Sequence, residues 1–368
     1  MSRRIVLYGA TGYTGRLVAA QLAEAKVRPV LAGRSLQGLH ALGVTLGRGL
    51  DTVAADVADH DALLTLIREG DVVVSTVGPF TRLGTPVAEA CVVQRATYVD
   101  CCGEPAFVRT IFEGLGPVAT NRGASLISGF GYEFVAGNVA ASLVLEATGY
   151  RAQRVDIGYF LTGKRRGTMS SGTRASLGGA ALAPHFAWRD RQLVDIVAGD
   201  RVIGFALNGS VLPGLSIGGA EHLTIPRQRP WVREVGVYLG GPRSQVGAKV
   251  VRSVVAGASK VPGVPELVRW TASLPRVKEG PDDDTRAQFG SAVVASAYDA
   301  EDRQLQTVRL AGVDPYTFTA RMLAWVAMLL SKQDTPLKPG ALGPVEAFGL
   351  GTLVAACADA GLQVVDEA

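Results

Sequence analysis

The sequence predicts an α/β protein in which a doubly wound parallel sheet is followed by a second, α+β domain on a largely antiparallel sheet. Over residues 1–130 of the 368, apolar runs of strand length alternate with segments of helical periodicity, as repeated βαβ units do. Beyond residue 130, alternating apolar and polar residues predict strands that bury one face, with helices between them. The length of the chain also favours two compact units over one.

The elements of the first domain follow one another regularly. The predicted strands are Ile5–Tyr8, Pro29–Ala32, Asp51–Ala54, Val72–Thr76, Thr97–Val99 and Ser125–Ser128. The first predicted helix begins at Gly12, and the others span residues 35–46, 60–67, 86–95 and 105–121. Pro86 and Pro105 fit the first turns of two helices, because a proline's missing N–H is not needed there.

Composition excludes several classes of protein. Hydrophobic residues make up 48% and charged residues 19% of the chain, as in a globular protein, and the net charge is +4. The one dense basic run, Lys164-Arg165-Arg166, is too small for a nucleic-acid interface. We predict no signal peptide and no transmembrane segment, and expect a cytoplasmic protein. The four cysteines and four histidines lack metal-binding spacing, so we expect no metal site.

Three glycines follow the first predicted strand at intervals of three residues. Gly9 ends the strand, Gly12 precedes the helix and Gly15 lies in its first turn. In a Rossmann domain such glycines permit a tight turn, bring the backbone close to a pyrophosphate and let the helix pack on the sheet. The stretch therefore predicts a dinucleotide site made by the glycines and by Thr11, Tyr13 and Thr14 between them.

The end of the second strand indicates which dinucleotide binds. An NAD enzyme places an acidic residue there to bind the ribose hydroxyls, but this chain has Arg34 and Ser35 instead. A guanidinium can pair with a 2′-phosphate, and a serine hydroxyl can donate a hydrogen bond to it. We therefore predict NADP(H), although an arginine that only faces solvent at a helix start would leave the same pattern.

Residues after the third and fourth strands complete the predicted cofactor site. In open α/β sheets ligands bind outside the carboxyl ends of the strands. Asp56 and Val57 follow the third strand, where they would flank the adenine. The fourth strand is followed by a Gly-Pro turn, and its predicted cofactor-binding residues are Val77, Gly78, Pro79 and Phe80.

A set of motifs along nearly the whole chain resembles the saccharopine dehydrogenase-like oxidoreductases, in particular the bacterial branch that includes trans-acting enoyl reductases. In chain order these motifs are GATGYTG (9–15), AGRS (32–35), VGPF (77–80), YVDCCGE (98–104), GFGYEFVAGN (129–138), SSGTRAS (170–176) and GVDPYTFTA (312–320). The resemblance implies an NADP-binding Rossmann domain at 1–130, a substrate and dimerisation domain at 131–335, and a C-terminal helix, 336–368, that packs on the first domain. It also implies a homodimer.

The resemblance implies reduction of the C=C bond of an enoyl thioester, with the substrate linked to pantetheine or a carrier. Because the family also contains imine-reducing members, C=N reduction stays open. For an enoyl thioester, hydride transfer creates an enolate, so the site needs hydrogen-bond donors on the carbonyl oxygen and a proton source for the α-carbon.

Candidates for the proton source lie beyond the fifth and sixth strands. They are Tyr132, Glu133, Glu104 and Asp100, and we prefer Tyr132. An aromatic residue at such a junction could instead serve packing, and Glu104 could compensate a helix dipole. The turn Ser170, Ser171, Gly172 and Thr173 could donate to the substrate carbonyl, or could simply cap a helix.

A non-catalytic protein that binds NADP(H) and reports redox state to a partner is the alternative from another class. The Tyr-x-x-x-Lys pair of short-chain dehydrogenases is absent from the first domain, since Tyr98 is followed four residues later by Cys102 and Tyr13 by Leu17. A sensor does not require so large a second domain, and we therefore favour an enzyme.

Overall fold

The chain forms two compact units. The structure, a computed structural model, describes residues 3–47, 49–163, 170, 184–240, 280–333 and 337–366. The first unit comprises Met1–Cys102, Phe107–Tyr132 and Tyr316–Leu342, and the second comprises Gly103–Ala106, Glu133–Pro315 and Gly343–Ala368. Each unit is therefore built from segments that are far apart in the sequence.

The strands and helices are numbered in chain order over the described residues. The strands are β1 (Ile5–Tyr8), β2 (Val30–Gly33), β3 (Thr52–Ala54), β4 (Val72–Ser75), β5 (Thr97–Asp100), β6 (Ser125–Ile127), β7 (Arg154–Gly163), β8 (His185–Arg189), β9 (Gln192–Ile196), β10 (Val202–Leu207), β11 (Ser210–Ser216), β12 (Glu234–Gly240), β13 (Phe289–Tyr298), β14 (Gln304–Gly312), β15 (Gly340–Ala341) and β16 (Leu362–Val365). The helices are α1 (Tyr13–Glu24), α2 (Leu36–Thr45), α3 (His60–Leu66), α4 (Phe80–Leu83), α5 (Thr85–Val93), α6 (Pro105–Arg109), α7 (Gly116–Arg122), α8 (Gly137–Thr148), α9 (Glu221–Gln228), α10 (Asp283–Arg286), α11 (Pro315–Lys332), α12 (Pro344–Phe348) and α13 (Leu350–Asp359). Thr110–Leu115 forms a π-helical turn between α6 and α7, and Gly149–Arg151 forms a 3₁₀ turn.

Seven parallel strands form the sheet of the first unit within the described residues, in the order β15-β6-β5-β4-β1-β2-β3. All four residues of β1 and of β4 are buried, as expected for strands covered on both faces. The strand order reverses between β1 and β4, and this switch point is where doubly wound sheets bind their ligands. The predicted Rossmann sheet is confirmed, and each predicted strand of the first domain lies within one residue of an observed one.

Within the described residues, the second unit contains a nine-stranded sheet with the path β10-β11-β12-β7-β13-β14-β16, to which β8 and β9 add at β12. Only the pair β12 and β7 is parallel among these strands. Residues from four strands, including Phe160, Phe205 and Tyr238, form a buried cluster against the sheet. The prediction of a largely antiparallel sheet in an α+β domain is confirmed.

The segments after residue 315 are divided between the units differently from the predicted boundaries of 335 and 336. Helix α11 belongs to the first unit, where Trp325 stacks on Phe130 with ring centroids 6.2 Å apart, and β15 pairs with β6. The C-terminal residues 343–366 belong to the second unit instead of the first, because β16 pairs with β14 as an antiparallel edge strand. Gly349, at φ +77°, separates α12 from α13 where one helix was predicted.

Two kinds of feature are absent from the described residues. Among those residues, no helix combines the length and apolarity that crossing a membrane requires. In the same ranges, no three histidine, cysteine, aspartate or glutamate side chains converge as metal ligands would.

Candidate functional site

Two of the three glycines, Gly9 and Gly15, lie where a side chain would not fit. Gly9 has φ +83°, and a Cβ there would lie 2.6 Å from Val77 Cγ2. A Cβ on Gly15 would lie 2.2 Å from the carbonyl oxygen of Gly9, so the helix rests directly on the turn. The Gly12 amide donates to the same oxygen at 2.9 Å. The backbone is thus bare where a pyrophosphate would approach, which is the fit that a dinucleotide requires.

The N-terminus of α1 points its amides at this position. Gly12 is the N-cap and has no side chain, so no cap side chain accepts from the first-turn amides. Thr76, after β4, stabilises the turn. Its hydroxyl donates to the backbone carbonyl oxygens of Tyr8 at 3.2 Å and Gly9 at 3.1 Å. Thr11 is held through its carbonyl, which accepts from Arg16 Nη1 at 2.8 Å. Tyr13 and Thr14 are half-buried in the first turn of the helix.

The ends of β2 and β3 place Arg34, Ser35 and Asp56 together. The Arg34 guanidinium is exposed and has no hydrogen-bond partner among the residues that the structure describes. Ser35 caps α2, and its Oγ accepts from the Gly38 amide at 3.1 Å, which leaves its O–H able to donate. Burial, and then the charge of Asp56, raise the pKa of Tyr8 to about 12, while Arg34 lowers it, so both charges lie near that hydroxyl.

The turn after β4 lies beside the glycine turn. Val77 contacts Gly9, and Gly78 and Pro79 are half-buried before α4 begins at Phe80. The Phe80 ring packs on Phe107 at 5.6 Å, which anchors the turn.

Asp100, at the carboxyl end of β5, ties two loops together. Its Oδ1 accepts from the amides of Cys102 and Gly129, both at 2.8 Å, and the Ser128 hydroxyl is 2.9 Å from its Oδ2. Burial raises the pKa of Asp100 to about 6, against the lowering effect of these hydrogen bonds. With both oxygens accepting hydrogen bonds inside the unit, Asp100 holds the two loops together, and its role as a proton source stays a prediction.

We expect Asp100→Asn to change how stability depends on pH. Between about pH 4 and 6 the folded protein keeps the Asp100 proton that the unfolded chain has lost, so the carboxyl's contribution to stability falls as pH rises. Asparagine does not titrate, so the free energy of unfolding of the variant relative to wild type should rise by about 2–3 kcal/mol across that window. Urea unfolding at several pH values measures this difference. Exposed Asp51→Asn is the control, and a difference that stays flat with pH for Asp100→Asn would contradict the expectation.

The candidate proton sources differ in their surroundings. Tyr132 is only 3% exposed, its amide donates to Thr319 Oγ1 at 3.0 Å, and its ring meets the edge of Phe318. Glu104, which is also 3% exposed, directly precedes α6. Glu133 is half-buried, and desolvation raises the pKa of its carboxyl. A Cβ on Gly103 would lie 3.3 Å from Glu133 Oε2, so the carboxylate rests against a bare backbone.

The residue after Glu133 has an unusual backbone. Phe134, 2% exposed, has φ +79° and ψ −44°, inside the irregular turn Tyr132–Ala136. A non-glycine residue in this region costs on the order of 1–3 kcal/mol and persists only when its surroundings enforce it. Its amide donates to Tyr159 Oη at 2.9 Å, and its carbonyl accepts from Asn138 Nδ2 at 2.7 Å.

Two further buried side chains support these contacts. The Tyr159 hydroxyl donates to Glu221 Oε1, and the Thr224 hydroxyl donates to Asn138 Oδ1 at 2.7 Å. Burial raises the pKa of Glu221 to about 7, which the Tyr159 hydrogen bond lowers and the charge of Glu133 raises. Sequence reasoning did not find Tyr159, Glu221 or Thr224, because no local pattern links residues 62 and 86 positions apart.

The predicted substrate-binding turn is described at one residue. Ser170 is 3% exposed, and Ser171, Gly172 and Thr173 lie outside the described residues.

The fold and the glycine turn define a dinucleotide-binding protein. Residues 5–117 match the model of the saccharopine dehydrogenase NADP binding domain. The nicotinamide cofactor is therefore NADP(H), and the predicted cofactor and the resemblance drawn from the motifs are confirmed.

Curated relatives match part of the chain. A Mycobacterium tuberculosis protein provisionally named trans-acting enoyl reductase Rv2449c is 35% identical over 184 residues, which are 47% of this chain and 43% of that protein. The trans-acting enoyl reductase of Mycobacterium leprae is 37% identical over 136 residues, 36% of this chain and 32% of the relative. The matched segments thus span less than half of each curated relative. These matches, with the NADP domain, support an NADP-dependent oxidoreductase.

Solved structures show the same fold. Saccharopine dehydrogenase (L-Glu forming) from Saccharomyces cerevisiae has a TM-score of 0.62 and 13% identity, with all of both chains covered. The homospermidine synthase of Legionella pneumophila, determined with NAD, has a TM-score of 0.63 and 10% identity, covering 100% of this chain and 92% of that one. At such identities the likeness concerns the fold alone.

Proposed function

We propose that the protein is an NADPH-dependent reductase of the C=C bond of an enoyl thioester, presented on pantetheine or a carrier. The glycine turn is the observation that supports NADPH binding. A Cβ on Gly15 would lie 2.2 Å from the Gly9 oxygen, so the turn has room only for bare backbone. The substrate class is supported by the printed name of the mycobacterial relatives, which are 35–37% identical over part of this chain.

We propose separate duties for the residues of the chain. Bound NADPH supplies the hydride, and the amides at the start of α1 hold its pyrophosphate. Arg34 and Ser35 bind its 2′-phosphate. Hydride addition at the β-carbon leaves an enolate, whose α-carbon then takes a proton from the Glu133 carboxyl. Ser170, Ser171, Gly172 and Thr173 are proposed donors to the thioester oxygen.

Glu133 takes precedence over Tyr132 in this proposal for a physical reason. A general acid must hold its proton near the working pH and then release it, and burial raises the pKa of Glu133 towards that range. Glu133 also keeps part of its surface exposed, whereas Tyr132 is packed against Phe318. Protonation of an imine nitrogen would use the same acid, so C=N reduction is the second candidate.

The test is NADPH oxidation, with NADH in parallel, against a panel of pantetheine-linked enoyl thioesters and of 2-oxo acids mixed with amines. Turnover of thioesters supports the proposal, and turnover of only the 2-oxo acid mixtures replaces it with imine reduction. Tight NADPH binding without turnover on either panel would favour the redox-reporting alternative.

We expect Arg34→Ala to weaken NADPH binding by about 10–100-fold while NADH binding changes less than about threefold, because only NADPH carries the 2′-phosphate. Fluorescence titration of both nucleotides measures the two affinities. Arg68→Ala is the matched control, since Arg68 is an exposed arginine that precedes β4, at the opposite end of the sheet from the nucleotide turn. Equal losses for NADPH and NADH would refute the role of Arg34.

A further inference from the structure

Phe134 is held at both ends of its peptide by buried side chains. Its N–H donates to Tyr159 at 2.9 Å, and its carbonyl accepts from Asn138 at 2.7 Å. Tyr159 lies on β7 and Asn138 on α8, so two separate elements fix one residue. Neither partner is replaceable by solvent, because Tyr159 is 1% and Asn138 0% exposed.

Helix α9 supports both partners at once. Glu221, in its first turn, accepts from the Tyr159 hydroxyl, and Thr224, one turn later, donates to Asn138. Both are 0% exposed. Glu221 Oε2 is buried without a hydrogen-bond partner among the described residues, so this network carries a desolvation cost that an apolar cluster in the same space would not have. Four buried polar side chains therefore hold the backbone of Phe134 in place: Tyr159, Asn138, Glu221 and Thr224.

Glycines leave room for this network. A Cβ on Gly137 would lie 2.0 Å from the Tyr159 hydroxyl oxygen, and one on Gly219 would lie 2.5 Å from Glu221 Oε2. Any side chain at either position would displace the pair. The close packing fixes the Tyr159 hydroxyl, and through it the Phe134 amide, in one place.

The conformation matters because Glu133 immediately precedes Phe134. Glu133 is extended, with φ −64° and ψ 136°, and the chain reverses at Phe134. A relaxed Phe134 would rotate the peptide that follows Glu133 and move its carboxyl off the Gly103 backbone. Misplacement of a reacting group by about 1 Å can lower the rate by about 100-fold.

We propose that Tyr159 and Glu221 are positioning residues, which hold the Phe134 turn so that the Glu133 carboxyl is presented for proton transfer. This inference rests on the proposed function, in which Glu133 donates the proton. The pair touches neither substrate nor cofactor in this proposal and acts only through the Phe134 amide.

The test compares Tyr159→Phe with Tyr238→Phe. Tyr238 is a matched control, because it is a buried tyrosine of the same sheet, on β12, whose hydroxyl lies 3.4 Å from Asp156 Oδ1 and away from Phe134. We expect Tyr159→Phe to lower kcat for enoyl thioester reduction by about 10–100-fold with KM for NADPH within about twofold. We expect Tyr238→Phe to leave both parameters within about twofold.

Glu221→Gln removes the charge of Glu221 but keeps an oxygen that accepts the Tyr159 hydrogen bond. The amide oxygen still accepts from Tyr159, so kcat should stay within about threefold at low pH. Burial is what raises the pKa of Glu133, so removing the charge of Glu221 should leave the alkaline limb of the kcat profile where it is. Three titratable groups lie close to Glu221. They are Glu133, Tyr159 and the buried imidazole of His222, which is the next residue in the chain. A limb that moves in Glu221→Gln would show that Glu221 acts on Glu133 through its charge, which would overturn positioning through the Phe134 amide alone.

Hydrogen exchange of a peptide covering residues 130–138 provides a readout that needs no turnover. Tyr159→Phe should speed exchange of the Phe134 amide by about tenfold or more, because that amide loses its acceptor. Faster exchange with an unchanged kcat would overturn the positioning role while leaving the proposed function intact. A wild-type protein that reduces no thioester would overturn the proposed function, and with it the catalytic purpose of the pair.

Discussion

We expect Gly15→Ala to weaken NADPH binding by about 100-fold. The added methyl group would lie 2.2 Å from the Gly9 oxygen and 2.9 Å from Ala10 Cα, and both are backbone atoms that no rotamer change can move. The turn must therefore open or α1 must shift, and either movement takes the first-turn amides away from the pyrophosphate. Calorimetric titration with NADPH measures the affinity, and thermal unfolding measures the accompanying loss of stability.

Gly43→Ala is the control for this experiment. Gly43 also lies in a helix of the first unit, but a Cβ there meets no atom within 4 Å. Alanine favours a helix over glycine, so this variant should bind NADPH normally and be slightly more stable. Normal NADPH affinity in Gly15→Ala would show that the nucleotide does not use this turn.

We expect Glu133→Gln to lower kcat by about 100-fold to 10,000-fold without changing NADPH affinity, because glutamine keeps the shape of the acid but has no proton to give. In the wild type, kcat should be constant at low pH and fall as pH rises through the raised pKa of Glu133, where the acid form is lost. In Glu133→Gln, this fall of kcat with rising pH should be absent. Single-turnover measurement of NADPH oxidation over a range of pH checks both statements.

Tyr132→Phe is the comparison that assigns the proton donor. If Glu133 donates, Tyr132→Phe should change kcat by less than about fivefold, since its ring packing on Phe318 is retained. A larger loss in Tyr132→Phe than in Glu133→Gln would return the donor role to Tyr132, the residue that the sequence favoured. Glu113→Gln, an exposed glutamate of the first unit, should be silent in both assays.

The first unit was predictable because its information is local. Strands such as β1 and β4 are continuous apolar runs, and the glycine turn is a short motif between a strand and a helix. Strand β15 was missed, since it has only two residues, one of them is a glycine, and a proline precedes it, so it carries no strand pattern. The sequence did not predict that α11 belongs to the first unit. That placement depends on contacts such as Trp325 with Phe130, and no local pattern links residues so far apart in the chain.

The site was predictable to a smaller extent. The NADP(H) cofactor follows from local motifs, and the match of residues 5–117 confirms it. The roles of Tyr132, Glu104, Arg34 and the other site residues stay predictions, as do the homodimer and the cytoplasmic location. Asp100 resembled a catalytic acid in the sequence, yet its partners Cys102, Ser128 and Gly129 occupy both carboxyl oxygens. The strain at Phe134 had no sequence signal, because phenylalanine does not favour positive φ.

The pairing of β15 with β6 also sets an order of events during synthesis. Strand β6 ends at Ile127, but its neighbour begins only at Gly340, after nearly all of the second unit has been translated. At about 5–20 residues per second, the ribosome needs roughly 10–40 s to cover that interval. Throughout it, the nascent Rossmann sheet presents β6 as an uncovered edge, open to pairing with other chains. Completion of the nucleotide-binding unit therefore waits until Gly340 has been translated, and a chain that stops before Gly340 would keep β6 as an exposed edge strand.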